Sequence, residues 1–425
     1  MKGRPLLYTS YEADQAMLNT ATKRVSAFLF VLVLVAIPLF KVGSIGAGDN
    51  PMGALPGPDF LAGNDWLRLL TSVLVFAIGG LGLNLLTGLA GQVSLGHAFF
   101  MGLGAYVAAV LGMPGGALWG LGLPIWIWLP MAGLIPALVG VLIAPTAVRV
   151  RGLYLAIVTL GLVFIGEYLW RNLDFITGGS QSGRSHPPFE FRLWKEEEPL
   201  ISFAQDGTWF GIFNLSGAAK TYLFLLGITV LFVLFAKNIQ RTRVGRAFMS
   251  IRDRDIASEI MGVDDFKYKT LAFAISSFFA GVAGALFASF VGGAIPETWS
   301  LFLSVQFIAI VLIGGAGTVS GTLMGAAFVG LSPRLIRDFT AWMQDIVQSG
   351  EGMFASIFDI VVSTGQADFG LINTAPGVAP GLGIDQLNLV IYGLLIIGFL
   401  IFEPLGLYGI WLRIRNYWKG WPFTY

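Results

Sequence analysis

The sequence predicts an all-α integral membrane protein of about ten transmembrane helices, some broken at glycine-rich segments, with an internal repeat. Three observations predict it. The 425 residues are 55% hydrophobic and only 12% charged, with a mean hydropathy of +0.75, well above a soluble domain. Ten stretches are mostly apolar over about 20 residues, the length that crosses the hydrocarbon core. A glycine-rich segment also occurs twice with the same spacing.

In chain order the spans begin near Val25, Trp66, Val93, Pro124, Leu153, Ala219, Thr270, Leu301, Thr318 and Leu387. Residues 1–24 form a mostly polar tail ending in Lys23 and Arg24, and no clear A-x-A site follows, so the first span is expected to be uncleaved. Short basic loops face the cytoplasm. With the N-terminus inside, that face receives Lys23 and Arg24, then Arg149 and Arg151, then the run from Lys237 to Arg254, then Arg413, Arg415 and Lys419. The opposite face collects Asp49, Asp59 and Asp65, then Glu196 to Glu198, then Asp345, Glu351, Asp359 and Asp368. Both termini are therefore expected in the cytoplasm of a multi-pass membrane protein.

The membrane-spanning core covers 25–332, with an outer loop at 172–217 and a cytoplasmic loop at 238–269. The pair of segments from Leu301 to Leu331 reads either as two crossings or as a re-entrant element. Residues 333–386 read as an extracytoplasmic insertion. It opens with Leu335, Phe339, Trp342, Met343 and Ile346 at helical spacing, the pattern of an interfacial amphipathic helix or of a packed surface helix. Residues 387–425 supply the last span and a cytoplasmic tail. Glu167 lies near the outer end of its span beside Arg171, where a local ion pair is expected.

The repeat aligns "LTGLAGQVSLGHAFF", from Leu86, with "LIGGAGTVSGTLMGA", from Leu312, as L-x-G-x-A-G-x-V-S. Polar, kinkable backbone is costly in lipid unless it faces protein or a cavity, and transporters place such segments where repeats meet. The expected pathway residues are Gly91, Gln92, Ser94, Gly96 and His97 in the first copy, and Gly315, Gly317, Thr318 and Ser320 in the second. Close packing along a Gly317, Gly321, Gly325 ridge is the competing reading of the glycines. His97 reads equally as a buried donor to a backbone carbonyl.

Several chemistries are excluded. The chain has no cysteine and only two histidines, so thiolate catalysis and Cys/His metal sites are absent. A net charge of +1 gives no reason to expect a nucleic-acid partner. No G-x-x-x-x-G-K-[ST] occurs, so no nucleotide cofactor is expected. Ser94 and His97 lack a third orienting group, which argues against an enzyme. The cytoplasmic loop contains a short helix pattern. Asp253 or Asp255 suits its N-cap, Ile256, Ala257, Ile260 and Met261 form an apolar edge, and Gly262 suits its stop. That edge needs cover, from the protein's own helix ends, from membrane lipid or from a soluble partner.

Five stretches then carry a resemblance: "GLNLLTGLAGQVSLGHAFFMGLGAY", "RGLYLAIVTLG", "GRAFMSIRDRDIASEIMGVDDFKYKTLAFAISSFFAGVAGAL", "VLIGGAGTVSGTLMGAA" and "EPLGLYGIW". In that order they resemble the LivM-type permease of bacterial branched-chain amino-acid ABC importers. The resemblance implies translocation of branched-chain or other aliphatic amino acids, with urea or short amides as the alternative within the same framework. An ion-coupled secondary carrier is the alternative outside it. It further implies a LivH-like second permease, two cytoplasmic ATPase subunits that hydrolyse the ATP, and a periplasmic substrate-binding protein. It makes the loop bearing Arg246, Arg252, Asp255, Ile256, Ala257, Glu259 and Gly262 the ATPase-coupling element. The chain departs from the pattern at Asp255, at Ser258, at Glu403 and in the length of the late insertion.

Overall fold

Glycines, more than bulky side chains, set how closely the helices of this protein approach. The computed structural model describes residues 21–38, 64–116, 118–149, 153–179, 183–193, 199–209, 213–349, 362–363, 372–373, 382–403 and 405–420. The chain divides into two compact units, Met1–Ser304 and Val305–Tyr425.

In the first unit α1 (Ala21–Ala36) is followed by α2 (Asn64–Leu83), which widens into a π-helical turn over Asn84–Leu89. Then come α3 (His97–Gly112), α4 (Ile125–Arg149), α5 (Leu153–Asn172), the single turn α6 (Asp174–Thr177), α7 (Gly217–Arg241), α8 (Arg243–Ile260) and α9 (Asp265–Val291). At the centre α9 packs on α2, α3 and α4. A Cβ at Gly104 of α3 would enter the backbone of Gly281 on α9, one at Gly281 the carbonyl of Ala132 on α4, and one at Gly284 the backbone of Met101. Three helices thus meet at backbone contact, where small residues replace side-chain interdigitation. The Asp264 carboxylate caps α9 by accepting from the Lys267 amide at 3.0 Å. Gly292, at φ 90°, ends it.

The loop between α6 and α7, expected on the outer face, builds a small β module. Strands β1 (Arg184–Ser185), β2 (Glu190–Phe191), β3 (Ile201–Ser202), β4 (Gly207–Trp209) and β5 (Phe213–Leu215) precede α7. They form antiparallel pairs β2–β3 and β4–β5, while β1 pairs with β6 (Gly293–Ala294), just past α9.

The second unit holds most of α10 (Leu301–Gly314), then α11 (Val319–Ser349), α12 (Ile384–Phe402) and α13 (Gly406–Gly420), with three two-residue parallel strands (Val362–Ser363, Ile372–Asn373, Leu382–Gly383) between α11 and α12. The ridge joining α10 to α11 is Gly314, Gly321 and Gly325, not the expected Gly317, Gly321 and Gly325. Gly317 lies outside the helix at φ 80°.

Each of the ten expected spans falls on a helix. Among the described residues six helical segments are long and apolar enough to cross a membrane: Asn64–Leu89, Ile125–Thr146, Tyr154–Asn172, Gly217–Arg241, Asp265–Val291 and Val319–Thr340. The apolar helices Arg24–Ala36, His97–Gly112 and Leu301–Gly314 are shorter. The third starts at His97 and not near Val93, because residues 91–96 leave the helix. Helix α11 also runs through Pro333, so the amphipathic pattern expected to open an insertion continues the span's own helix. Proline has no N–H to offer the Val329 carbonyl. The Ser332 hydroxyl donates to it instead at 2.9 Å. Most of the expected insertion, the acidic group at 196–198 and Asp359 and Asp368 lie outside the described residues. Among the described residues no ion pair joins Glu167 to Arg171. The Trp170 ring between them packs on Tyr106 at 4.8 Å.

Candidate functional site: the glycine-rich links and the loop helix

Both copies of the repeat form links between helices. The first connects the π turn of α2 to α3 and the second connects α10 to α11. The aligned glycines share a backbone state, Gly91 at φ 70° and Gly317 at φ 80°, a region open to glycine at little steric cost. The copies then diverge. Helix α11 restarts two residues after Gly317, whereas α3 waits until His97.

In the longer first link three freed amides are satisfied by side chains. The Leu95 amide donates to the Thr159 hydroxyl at 2.9 Å, the Gly96 amide to Ser94 Oγ at 3.2 Å and the Ala98 amide to Ser304 Oγ at 3.0 Å. Gly96 packs on the Thr159 backbone. His97 is buried, and its ring hydrogen-bonds to the Gly79 backbone on α2, which is the anchoring role considered for it. Gln92 differs from all of these. It is 5% exposed, and among the described residues neither its amide nitrogen nor its amide oxygen has a hydrogen-bond partner.

At the second link, Thr318 caps α11. Its hydroxyl accepts from the Gly321 amide at 3.2 Å and donates to the Gly315 carbonyl at 2.9 Å. Gly315, at φ 117°, lies under Tyr408 and the Leu405 carbonyl, while Gly406 lies on Ile313 and Gly315. Ser320 is exposed. Nothing in the sequence pointed to the closing "EPLGLYGIW" as the cover of this link.

The residues expected on a cytoplasmic loop assemble on α8. Arg254, at φ −157° and ψ 99°, interrupts that helix. Beyond the break the Asp255 carboxylate accepts from the Ile256 amide at 2.9 Å. The short second segment ends as its sequence predicts. The Val263 amide reaches the Ser258 carbonyl at 3.0 Å, the Gly262 amide reaches Glu259 at 2.9 Å, and Gly262 takes φ 85°, the Schellman arrangement. Ile256, Ala257, Glu259, Ile260 and Met261 are exposed, Ile260 at 81% and Met261 at 83%, as is Arg246 on the first segment.

Arg252 joins the two regions, a contact that sequence spacing alone did not indicate. Its guanidinium donates to the Gly88 carbonyl at 2.8 Å across 164 residues. A Cβ on Gly91 would lie 2.6 Å from Arg252 Cγ. The π turn supplies the carbonyl and the glycine supplies the room, so the loop helix rests directly on the first link.

A cavity of about 500 Å³ opens at the opposite end of α3, beside Gly112, Trp128, Pro187, Glu190 and Arg192. None of the sequence-predicted residues lines it. Glu190 and Arg192 pair with each other there. Among the described residues no cluster of three or more His, Asp or Glu could hold a metal.

The geometry can be set beside known proteins. Residues 66–362 match the family described as branched-chain amino acid transport system / permease component. The chain is 34% identical over 292 residues to the high-affinity branched-chain amino acid transport system permease protein LivM of Salmonella typhimurium, covering 67% of this chain and 66% of that protein. Identity and coverage are the same for LivM of Escherichia coli. The chain thus spans just under two thirds of the length of these relatives. It is also 23% identical to the ribose import permease protein RbsC of Haemophilus influenzae, over 72% of this chain and 88% of that one. No solved structure matches. The family match covers well over half the sequence and includes both links and the loop helix; the chain belongs to the permease-component family of branched-chain amino-acid transport systems.

Proposed function

We propose that this chain is the membrane-spanning permease subunit of an ATP-driven importer, carrying branched-chain or similar aliphatic amino acids across the bacterial inner membrane. Both termini face the cytoplasm. Its partners are a LivH-like second permease, two cytoplasmic ATPase subunits that hydrolyse ATP, and a periplasmic binding protein that delivers the substrate. The observation that carries the reading is the second segment of α8. It exposes Ile256, Ile260 and Met261, while Arg252 just before the break rests on the first glycine-rich link.

The mechanism follows from that connection. The apolar edge seats in an ATPase subunit. When ATP binding draws the two ATPases together, the segment beyond Arg254 moves, and Arg252 transmits the movement to Gly88 and Gly91. A solute that interacts equally with both states cannot drive such a change, so the work enters through α8. Gly91, Gln92, Ser94, Gly96 and His97, with Gly315, Gly317, Thr318 and Ser320, border the pathway. Among the first five, Gln92 offers a polar solute an amide with no partner among the described residues, while the amides of Leu95, Gly96 and Ala98 are occupied by Thr159, Ser94 and Ser304. The insertion expected at 333–386 contacts the binding protein or caps the outer mouth.

The test is uptake of labelled leucine, glutamate and urea by cells lacking this chain, with and without its restoration. Each is repeated after ATP depletion with the proton gradient maintained. Leucine uptake that returns with the chain and disappears with ATP is the expected result. Restored urea uptake alone would reassign the substrate within the family. Uptake that survives ATP loss but follows the gradient would replace the importer by a secondary carrier.

A further inference from the structure

The helix that ends the described chain has a use that neither the glycine-rich links nor the loop helix calls upon. Helix α13 is 15 residues long. At 100° per residue, Ile410, Trp411, Ile414, Tyr417 and Trp418 fall within one arc of about 120°. All five are exposed, from 39% for Ile410 to 71% for Trp418. Arg413 and Arg415 stand at the two borders of the arc, and both are exposed.

The roll of the helix is fixed from the opposite side. Arg413 pairs with the buried Glu403 at 2.7 Å. A Cβ on Gly409 would lie 2.5 Å from the same carboxylate, and Tyr408 covers Gly315. The apolar arc therefore faces away from the protein because the other face is already engaged.

Its depth is fixed by what precedes it. The apolar helix α12 ends at Phe402 and α13 begins at Gly406, the turn being closed by the Gly406 amide on the Glu403 carbonyl at 2.7 Å. Helix α13 thus starts where an apolar helix leaves the hydrocarbon. At 1.5 Å per residue it is about 22 Å long, too short to cross a core of about 30 Å. Tryptophan and tyrosine favour the headgroup level, and arginines bordering an apolar arc extend to lipid phosphates while their stems stay in apolar surroundings.

We infer that α13 is an in-plane membrane anchor, with its Ile/Trp/Tyr arc in the acyl boundary and Arg415 on anionic lipid headgroups. The inference depends on the membrane reading and not on which solute is carried.

The chain has no cysteine, so single-cysteine variants of the full chain can be labelled at one site. Ile414→Cys on the arc and Asn416→Cys off it carry an environment-sensitive fluorophore in phosphatidylglycerol/phosphatidylethanolamine vesicles. The label at 414 is expected to be several-fold less quenched by aqueous iodide than the label at 416, and quenched strongly by doxyl-labelled lipid. Adding Arg415→Glu should raise iodide quenching at 414 in phosphatidylglycerol vesicles and change it little in phosphatidylcholine vesicles. Equal iodide quenching at both positions overturns the anchor. Shielding at 414 without quenching by labelled lipid, or shielding only after the ATPase or second permease is added, also overturns it and assigns the arc to a protein surface.

Discussion

Two kinds of residue fix local structure here, glycines where backbones touch and polar side chains that close off freed backbone. Gly104→Leu or Gly284→Leu would drive a side chain into the α9 or α3 backbone. Overpacking of this kind costs about 1–3 kcal/mol or more, so each variant is expected to lose thermal stability in detergent, while Gly161→Leu, with open space around it, changes little. Arg184 shows the polar case. Its buried guanidinium donates to the carbonyls of Ala109, Trp119 and Ile176, tying the outer module to the ends of α3 and α6. Burial and the Arg184 charge hold the neighbouring His186 well below the ordinary histidine value, at about 3. Protons therefore bind the unfolded module more tightly than the folded one. The stability due to neutral His186 is fully present above about pH 6.5 and is lost as pH falls toward 3. Between pH 6.5 and 5 the loss is about 2 kcal/mol. The melting temperature of the purified chain should fall over that range, and His186→Asn should flatten the slope. An unchanged slope would remove His186 as its source.

At the scale of elements, the break at Arg254 divides α8 into a part that holds the first link and a part that meets solvent. Changing Ile256 and Glu259 to bulky polar or charge-reversed residues should abolish transport while the chain still inserts. Arg252→Ala should leave ATPase assembly intact and lower transport about 2- to 30-fold, the range of coupling energies of 0.5–2 kcal/mol. Pull-down of the ATPase with tagged chain separates the two, since the first change is expected to abolish capture and the second to preserve it. The loop helix was legible in advance because its apolar edge and Gly262 stop are local signals, whereas the extended residue that starts its second segment is Arg254 and not the expected Asp253 or Asp255. Arg252 on Gly88 was not, since a contact across 164 residues leaves no mark in periodicity. The start of α3 was misplaced for a related reason. Val93 is apolar, but Ser94, Thr159 and Ser304 offer the backbone hydrogen bonds outside a helix, and that alternative is built from distant segments.

For the whole molecule, hydropathy placed a helix at every expected span because apolar segments at membrane depth must satisfy their backbone internally, although three of these helices are shorter than a full crossing. The repeat was legible too, and its depth is visible in the shared φ of Gly91 and Gly317. Which glycines form the second unit's ridge was not, since spacing of four cannot tell Gly317, in the link, from Gly314, seven residues before Gly321 on another helix. One exposed feature carries a consequence for the cell. Ile260 and Met261 stand more than four-fifths open, and aliphatic surface of that kind is what chaperones and proteases recognise in unassembled chains. On the proposed reading, a copy made in excess of its ATPase partner would keep that edge bare and be cleared, so synthesis would not need to be matched gene by gene. The abundance of such an assembly would then be set by whichever subunit is scarcest.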